Sequence, residues 1–164
     1  MAGKLILMVG IPGSGKSTVA KKVVDKGFYY LNADQIRAEL YGNEIEQGDK
    51  EQVFGIFFER LEAAMKDSLK IIIDNTNLNP RQREPILERA KRYGYEDIQL
   101  WFLDVPLELC LERNKNRTRV VPEDIITNMH NELHRNGRPR RSEGKIVTIK
   151  PSKDGDDYLF FPQN

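Results

Sequence analysis

Gly10-Ile11-Pro12-Gly13-Ser14-Gly15-Lys16-Ser17-Thr18 is the stretch from which the rest of the chain can be read. It fits G-x-x-x-x-G-K-[ST], a pattern whose backbone N–H groups cradle phosphates. The flanks fit too. Before it, Lys4 to Val9 carries the apolar run Leu5-Ile6-Leu7-Met8-Val9, which reads as a buried strand. After it, Val19, Val23 and Val24 fall at helical spacing within Thr18 to Lys26, and Gly27 stands as a C-terminal stop. Gly10, Gly13 and Gly15 permit close backbone approach to a ligand, and the helix N-terminus adds partial positive charge. In this pattern Lys16 reaches the β- and γ-phosphates of a nucleoside triphosphate, and the Ser17 hydroxyl helps hold Mg²⁺. Pro12, Ser14 and Thr18 complete the candidate cofactor-binding loop.

A chain of 164 residues is long enough for one domain with a sheet covered by helices. Its net charge of +1 argues neither for nor against a polyanionic partner, but the charge is unevenly spread. Between Asn32 and Asn79 there are ten acidic and five basic residues; between Glu112 and Lys150, five acidic and ten basic. The basic third suits a polyanionic ligand, although a solvated surface is the commoner meaning of such a run. The single cysteine, Cys110, has no partner for an internal disulfide and reads as a packed thiol. No signal peptide and no membrane-spanning apolar run is visible, so a cytoplasmic protein is expected.

Further along, Phe28 to Asn32 and Lys70 to Asp74 read as strands, and Asp97 to Asp104 as another. Helices are expected from Asp34 to Leu40, and from an Asp49 cap in a Gly48-Asp49 turn towards Leu69, with Gly55 as a weak point. A third runs from the Asn79-Pro80 start to Tyr93, with Pro85 as a potential bend. Others follow from Pro106 to Asn116 and from Glu123 to Arg135. Asn136 to Arg141 reads as a basic linker, Lys145 to Lys150 as a last strand, and Asp154-Gly155-Asp156-Asp157 as a mobile tail. Strands alternating with helices indicate an α/β domain with a mostly parallel sheet. In such sheets ligands sit beyond the carboxyl ends of the strands, where three polar clusters lie.

In the first cluster, Asp34 and Arg37 are three apart and share a helix face. The carboxylate can deprotonate an acceptor hydroxyl and the guanidinium can grip an acceptor phosphate. Equally, Asp34 can cap the helix while Arg37 makes a surface pair. The second cluster, Asp74-Asn75-Thr76-Asn77, puts an acid where a carboxylate can support Mg²⁺, with Thr76 and Asn77 free to touch substrate or steady the loop. The third, Arg113 to Arg119, reads as an arginine-rich lid whose guanidiniums neutralise a phosphoryl group in transfer, or as a solvated helix end.

Together these motifs resemble the kinase domain of the bacteriophage polynucleotide 5′-hydroxyl kinases. The phosphate loop, Asn32-Ala33-Asp34-Gln35-Ile36-Arg37, Thr76-Asn77-Leu78-Asn79-Pro80, Asp104-Val105-Pro106 and Arg113-Asn114 through Arg117 to Val121-Pro122 occur in the same order over about residues 4–135. The resemblance implies a P-loop kinase fold with a helical lid at about 113–122. The kinase domain would occupy residues 1–140, and a tail with one strand 141–164. It implies ATP and Mg²⁺ as cofactors, and 5′-hydroxyl ends of DNA or RNA as acceptors. Lys16 and Ser17 would hold the donor phosphates and Mg²⁺, Asp34 would be the general base, and Arg37 would bind acceptor phosphate. Arg117, helped by Arg113, would act on the donor phosphates, with Asp74, Thr76 and Asn77 on the substrate side. Asn75 stands where the phage enzymes have an aspartate, and Asp74 precedes it. The stretch from Arg117 to Pro122 is also a residue shorter, which leaves Arg119 without an assigned role. No 3′-phosphatase motif is expected, because no strand runs directly into Asp154-Gly155-Asp156 and the motif's threonine is absent. A small-molecule hydroxyl kinase and a non-catalytic nucleotide-binding module remain open, as does the oligomeric state, a homo-oligomer included.

Overall fold

The computed structural model describes residues 3–42, 49–155 and 157–163; Gly48 of the expected turn and Asp156 lie outside them. Among the described residues six strands form one sheet: β1 (Lys4–Val9), β2 (Tyr29–Leu31), β3 (Ile71–Ile73), β4 (Asp97–Leu103), β5 (Lys145–Pro151) and β6 (Tyr158–Pro162). Their spatial order is β2-β3-β1-β4-β5-β6, with every neighbouring pair parallel except the antiparallel β5–β6 pair. The helices are α1 (Lys16–Val24), α2 (Ala33–Tyr41), α3 (Lys50–Lys66), α4 (Pro80–Arg92), α5 (Leu107–Lys115) and α6 (Glu123–Glu132).

Alternation along β1 explains the layers. Leu5 and Leu7 face one apolar cluster, with Ile36, Phe57, Leu61 and Ile86 from α2, α3 and α4. Ile6 and Met8 face the other, with Val19, Cys110 and Ile126 from α1, α5 and α6. A strand buried on both faces needs the near-continuous apolar run seen in the sequence. Each fully buried Leu or Phe contributes roughly 1.5–3 kcal/mol, so this central strand anchors both layers.

Helix starts follow local chemistry. Asn32 caps α2, its side chain accepting from Gln35 N at 2.9 Å, so Asp34 is not the cap. Asp49 caps α3 and Asn79 caps α4, as expected. Pro85 lies within a continuous α4. The last helix ends three residues earlier than expected, at Glu132, and passes into a π turn over Leu133–Gly137.

The largest departure is at the C-terminus. The tail expected to be mobile continues into β6, which pairs with β5 through Val147↔Pro162 to Pro151↔Tyr158. Residues beyond 140 therefore supply two strands of the same sheet. The order of strands changes direction at β1, with β3 on one side and β4 on the other. Such a switch point opens a crevice at the carboxyl ends, and the phosphate loop occupies it.

Candidate active site

The loop between β1 and α1 is shaped by backbone bonds. Gly13 and Gly15 have φ of 84° and 97°, in the left-handed region that favours glycine. Ser14 is fully buried, its hydroxyl donating to Ile11 O at 2.7 Å. The first bond into α1 runs from Val19 N to Gly15 O, leaving the N–H groups of the first turn aimed into the loop. Lys16 Nζ donates to Gly10 O at 3.0 Å and Ile11 O at 3.4 Å. Burial holds this ammonium below the ordinary lysine value; Asp74 pulls it up, Arg117 pushes it down and Asp34 pulls it up again. Charges from three separate segments of the chain thus act on Lys16.

Asp74 ends β3 and is 1% exposed. Its Oδ2 accepts from Ser17 Oγ at 3.0 Å and from the Tyr30 hydroxyl. Burial, then the Asp74 charge, pushes the Tyr30 phenol up, so it stays a proton donor. Asn75 is turned the other way, its Oδ1 accepting from Ala33 N at 3.0 Å. Of the two candidates for the acidic position, Asp74 alone meets Ser17. A hydroxyl and a carboxylate side by side suit Mg²⁺, which takes one or two protein oxygens together with phosphate oxygens. Among the described residues no cluster of three His, Cys, Asp or Glu side chains forms a dedicated metal cage.

Asn77 is not available to substrate. It is 3% exposed, and its amide donates to Met8 O at 2.8 Å and Asn75 O at 3.4 Å. Thr76 is half-buried, its carbonyl accepting from Gly10 N at 3.0 Å. These two residues tie the β3 loop to β1 and the phosphate loop. Because its N–H serves Thr76, Gly10 contributes close packing more than a donor. Thr18 lies exposed on α1 and Pro12 is half-buried in the loop.

Free of capping, the Asp34 carboxylate accepts from Arg37 Nη1 at 2.6 Å and lies 3.4 Å from Arg119 Nη1. The Arg37 side chain is 12% exposed, and its buried Nε has no partner. Arg119, which the sequence left without a role, reaches Asp34 from the lid. That lid is stapled at its base by fully buried Asn114, whose amide donates to Val121 O at 2.6 Å and accepts from Val121 N at 3.0 Å. Arg117 lies exposed on the loop so closed. Arg113 is not poised for donor phosphates. Its guanidinium donates to Gly13 O at 3.3 Å, to the Tyr158 hydroxyl at 2.8 Å and to Gly155 O at 3.1 Å.

Behind the β3 loop, Arg83 is fully buried and uses every donor. It pairs with both Glu143 carboxylate oxygens at 2.8 and 3.0 Å and donates to the carbonyls of Asn77, Gly137 and Arg138. Neither Arg83 nor Tyr158 stood out in the sequence. An arginine on an amphipathic helix reads as surface, and Tyr158 sits in a segment that reads as tail.

The sequence that builds this arrangement (left-handed glycines, a half-buried lysine, a hydroxyl–carboxylate pair and a lid) matches, over residues 5–136, a family profile described as an AAA domain (AAA_33). The chain belongs to this AAA_33 family. It has the P-loop kinase fold, and proteins named as polynucleotide kinases are among its relatives. It is 30% identical over 133 residues to a protein of Autographa californica nuclear polyhedrosis virus named a putative bifunctional polynucleotide kinase/RNA ligase. That match covers 73% of this chain and 19% of the viral protein. A Methanococcus maripaludis protein named L-seryl-tRNA(Sec) kinase is 28% identical over 164 residues, covering 93% of this chain and 61% of that protein. A chain of the solved Pnkp1/Rnl/Hen1 RNA repair complex shares the fold, with TM-score 0.74 and 22% identity over 99% of this chain and 49% of that one. The AAA_33 chain therefore spans less than two thirds of the length of each. Among its described residues, no helix is long and apolar enough to cross a membrane.

Proposed function

We propose that the domain transfers the γ-phosphoryl group of ATP to the 5′-hydroxyl end of DNA or RNA. The observation that carries this reading is the Asp34 carboxylate, uncapped and held by Arg37 at 2.6 Å, with Arg119 3.4 Å away. A hydroxyl-activating base has no use in a nucleotide switch. Two arginines beside it, one with an unpartnered buried Nε, suit an acceptor that brings its own phosphate.

Phosphoryl transfer is chiefly positioning and charge stabilisation. The acceptor oxygen attacks the γ-phosphorus, its bond to the β–γ bridging oxygen breaks, and ADP leaves. Asp34 takes the acceptor proton, and Arg37 holds the acceptor phosphate so that the hydroxyl faces Lys16. Lys16 and Arg117 stabilise the transferring group. Mg²⁺, held through the Ser17 hydroxyl with Asp74 behind it, would neutralise charge on the β- and γ-phosphates.

The similarity to the archaeal seryl-tRNA kinase supports a second reading, in which the acceptor is a smaller hydroxyl, free or carried on RNA. Kinetic constants of Asp34→Asn and Arg37→Ala test the main reading. Losing a general base costs about 10²–10⁴-fold in kcat, with the ATP Kd unchanged. Arg37→Ala raises the KM of a 5′-hydroxyl oligonucleotide more than that of ATP. An Asp34→Asn enzyme within tenfold of wild type, or an unchanged acceptor KM in Arg37→Ala, would contradict these roles.

A further inference from the structure

The β5–β6 hairpin lies at the sheet edge, yet it reaches back to the phosphate loop. The Tyr158 hydroxyl, at the start of β6, donates to Ser14 O at 3.2 Å and accepts from Arg113 Nη1 at 2.8 Å. The same guanidinium donates to Gly13 O and to Gly155 O, and lies 5.7 Å from the centre of the Tyr158 ring. Contact is close enough to dictate sequence: a Cβ on Gly15 would lie 1.8 Å from Tyr158 Oη, and one on Gly13 would lie 2.5 Å from Cys110 O of α5. Asp157, one residue earlier, pairs with Lys22 of α1 at 3.5 Å.

We propose that Tyr158 is a positioning residue for the nucleoside-triphosphate loop: with Arg113 it holds the Gly13 and Ser14 carbonyls outward so that the loop's N–H groups face the phosphates. The physical reason is geometric. A peptide unit carries its carbonyl and N–H on opposite sides, so pinning carbonyls at 13 and 14 fixes the direction of the next N–H groups, at 14 and 15. Those at 15 and at the first turn of α1 form the anion cradle. The brace acts before any ligand arrives, and preorganisation of this kind appears as affinity. On the ligand side its hydrogen bonds go to carbonyls of the phosphate loop, so it serves any nucleoside triphosphate alike. The proposal rests on the loop being a triphosphate site and is independent of the acceptor.

Tyr158→Phe removes the hydroxyl and keeps the ring. The test is the Kd of Mg-ATP and Mg-GTP by titration calorimetry without acceptor, at a temperature where circular dichroism shows both proteins folded. One hydrogen bond of about 1 kcal/mol corresponds to about fivefold, so both Kd values are expected to rise about fivefold or more together. In Arg113→Ala the brace is already broken, and adding Tyr158→Phe changes Kd less than twofold, the non-additivity of one coupled unit. Unchanged Kd values in Tyr158→Phe, or a rise for one nucleotide only, would overturn the proposal. Binding is measured without acceptor, so a failure here leaves the 5′-hydroxyl reading standing, and a failure of that reading leaves this one.

Discussion

Replacing Arg83 by methionine keeps much of the side-chain volume and removes five hydrogen bonds at once. Two of them go to the Glu143 carboxylate, whose side chain is 11% exposed, so the variant strands a nearly buried charge. The other three leave the carbonyls of Asn77, Gly137 and Arg138 short of donors. Breaking a buried pair from one side costs about 3–5 kcal/mol. At roughly 2–4 °C per kcal/mol for a domain of this size, the melting temperature should fall by about 6–20 °C. Scanning calorimetry of both proteins at pH 7 measures it directly. Arg83→Met/Glu143→Leu removes the stranded charge and should recover part of the loss, because a buried ion pair replaced as a unit is close to neutral. A fall below about 2 °C in Arg83→Met would refute the reasoning. The consequence reaches the site: Arg83 backs the carbonyl of Asn77, and Asn77 ties the loop carrying Asp74 to β1. At temperatures where the variant is folded, its Mg²⁺ requirement for transfer should rise.

Gly55 lies in the middle of α3, and a Cβ added there would meet nothing within 4 Å, so Gly55→Ala should stabilise by about 0.5–1 kcal/mol. That is about 1–4 °C in melting temperature, and a decrease would show that the position needs glycine. The tilted rings of His130 and His134 lie 4.2 Å apart near Asp104, Glu108 and Arg138, and burial holds both imidazoles below their ordinary value. The unfolded chain then takes up protons first, so their contribution to stability is present above about pH 6.5 and lost as pH falls below it. His130→Gln/His134→Gln should show a shallower fall in melting temperature between pH 6.5 and 5, and an unchanged slope would contradict the assignment. Cys110, its thiol pushed up to about 11 by burial, should resist iodoacetamide in the folded protein at pH 8, and rapid labelling by mass spectrometry would show otherwise.

Much of the site was legible because local rules specify it. The phosphate loop encodes its backbone through glycine spacing, and its strand and helix follow from hydrophobic period. The Asp34–Arg37 pair was legible as geometry, since residues three apart share a face, but its availability was not. That depended on Asn32 taking the cap, which only the backbone decides. Asp74 and Asn75 are neighbours in sequence and point opposite ways, one to Ser17 and one to Ala33. Arg83, Arg113 and Tyr158 were illegible for a common reason. Each has partners between 42 and 144 residues away (Arg83 also bonds Asn77 O nearby), and a basic or aromatic side chain carries no mark of such a distant partner. Tyr158-Leu159-Phe160-Phe161 was not read as a strand in the sequence, and the structure makes it β6. The polar Asp154-Gly155-Asp156-Asp157 stretch before it marked the segment as tail.

The central claim is that Asp34 activates a nucleic-acid 5′-hydroxyl against ATP bound at the loop. Its most direct test is transfer of γ-labelled phosphate in Mg²⁺, with 5′-hydroxyl DNA and RNA oligonucleotides, nucleosides, sugars and serine offered side by side. Label is expected at the oligonucleotide 5′ end and is expected to be lost in Asp34→Asn. Label on the small hydroxyl compounds with none on any oligonucleotide would contradict it.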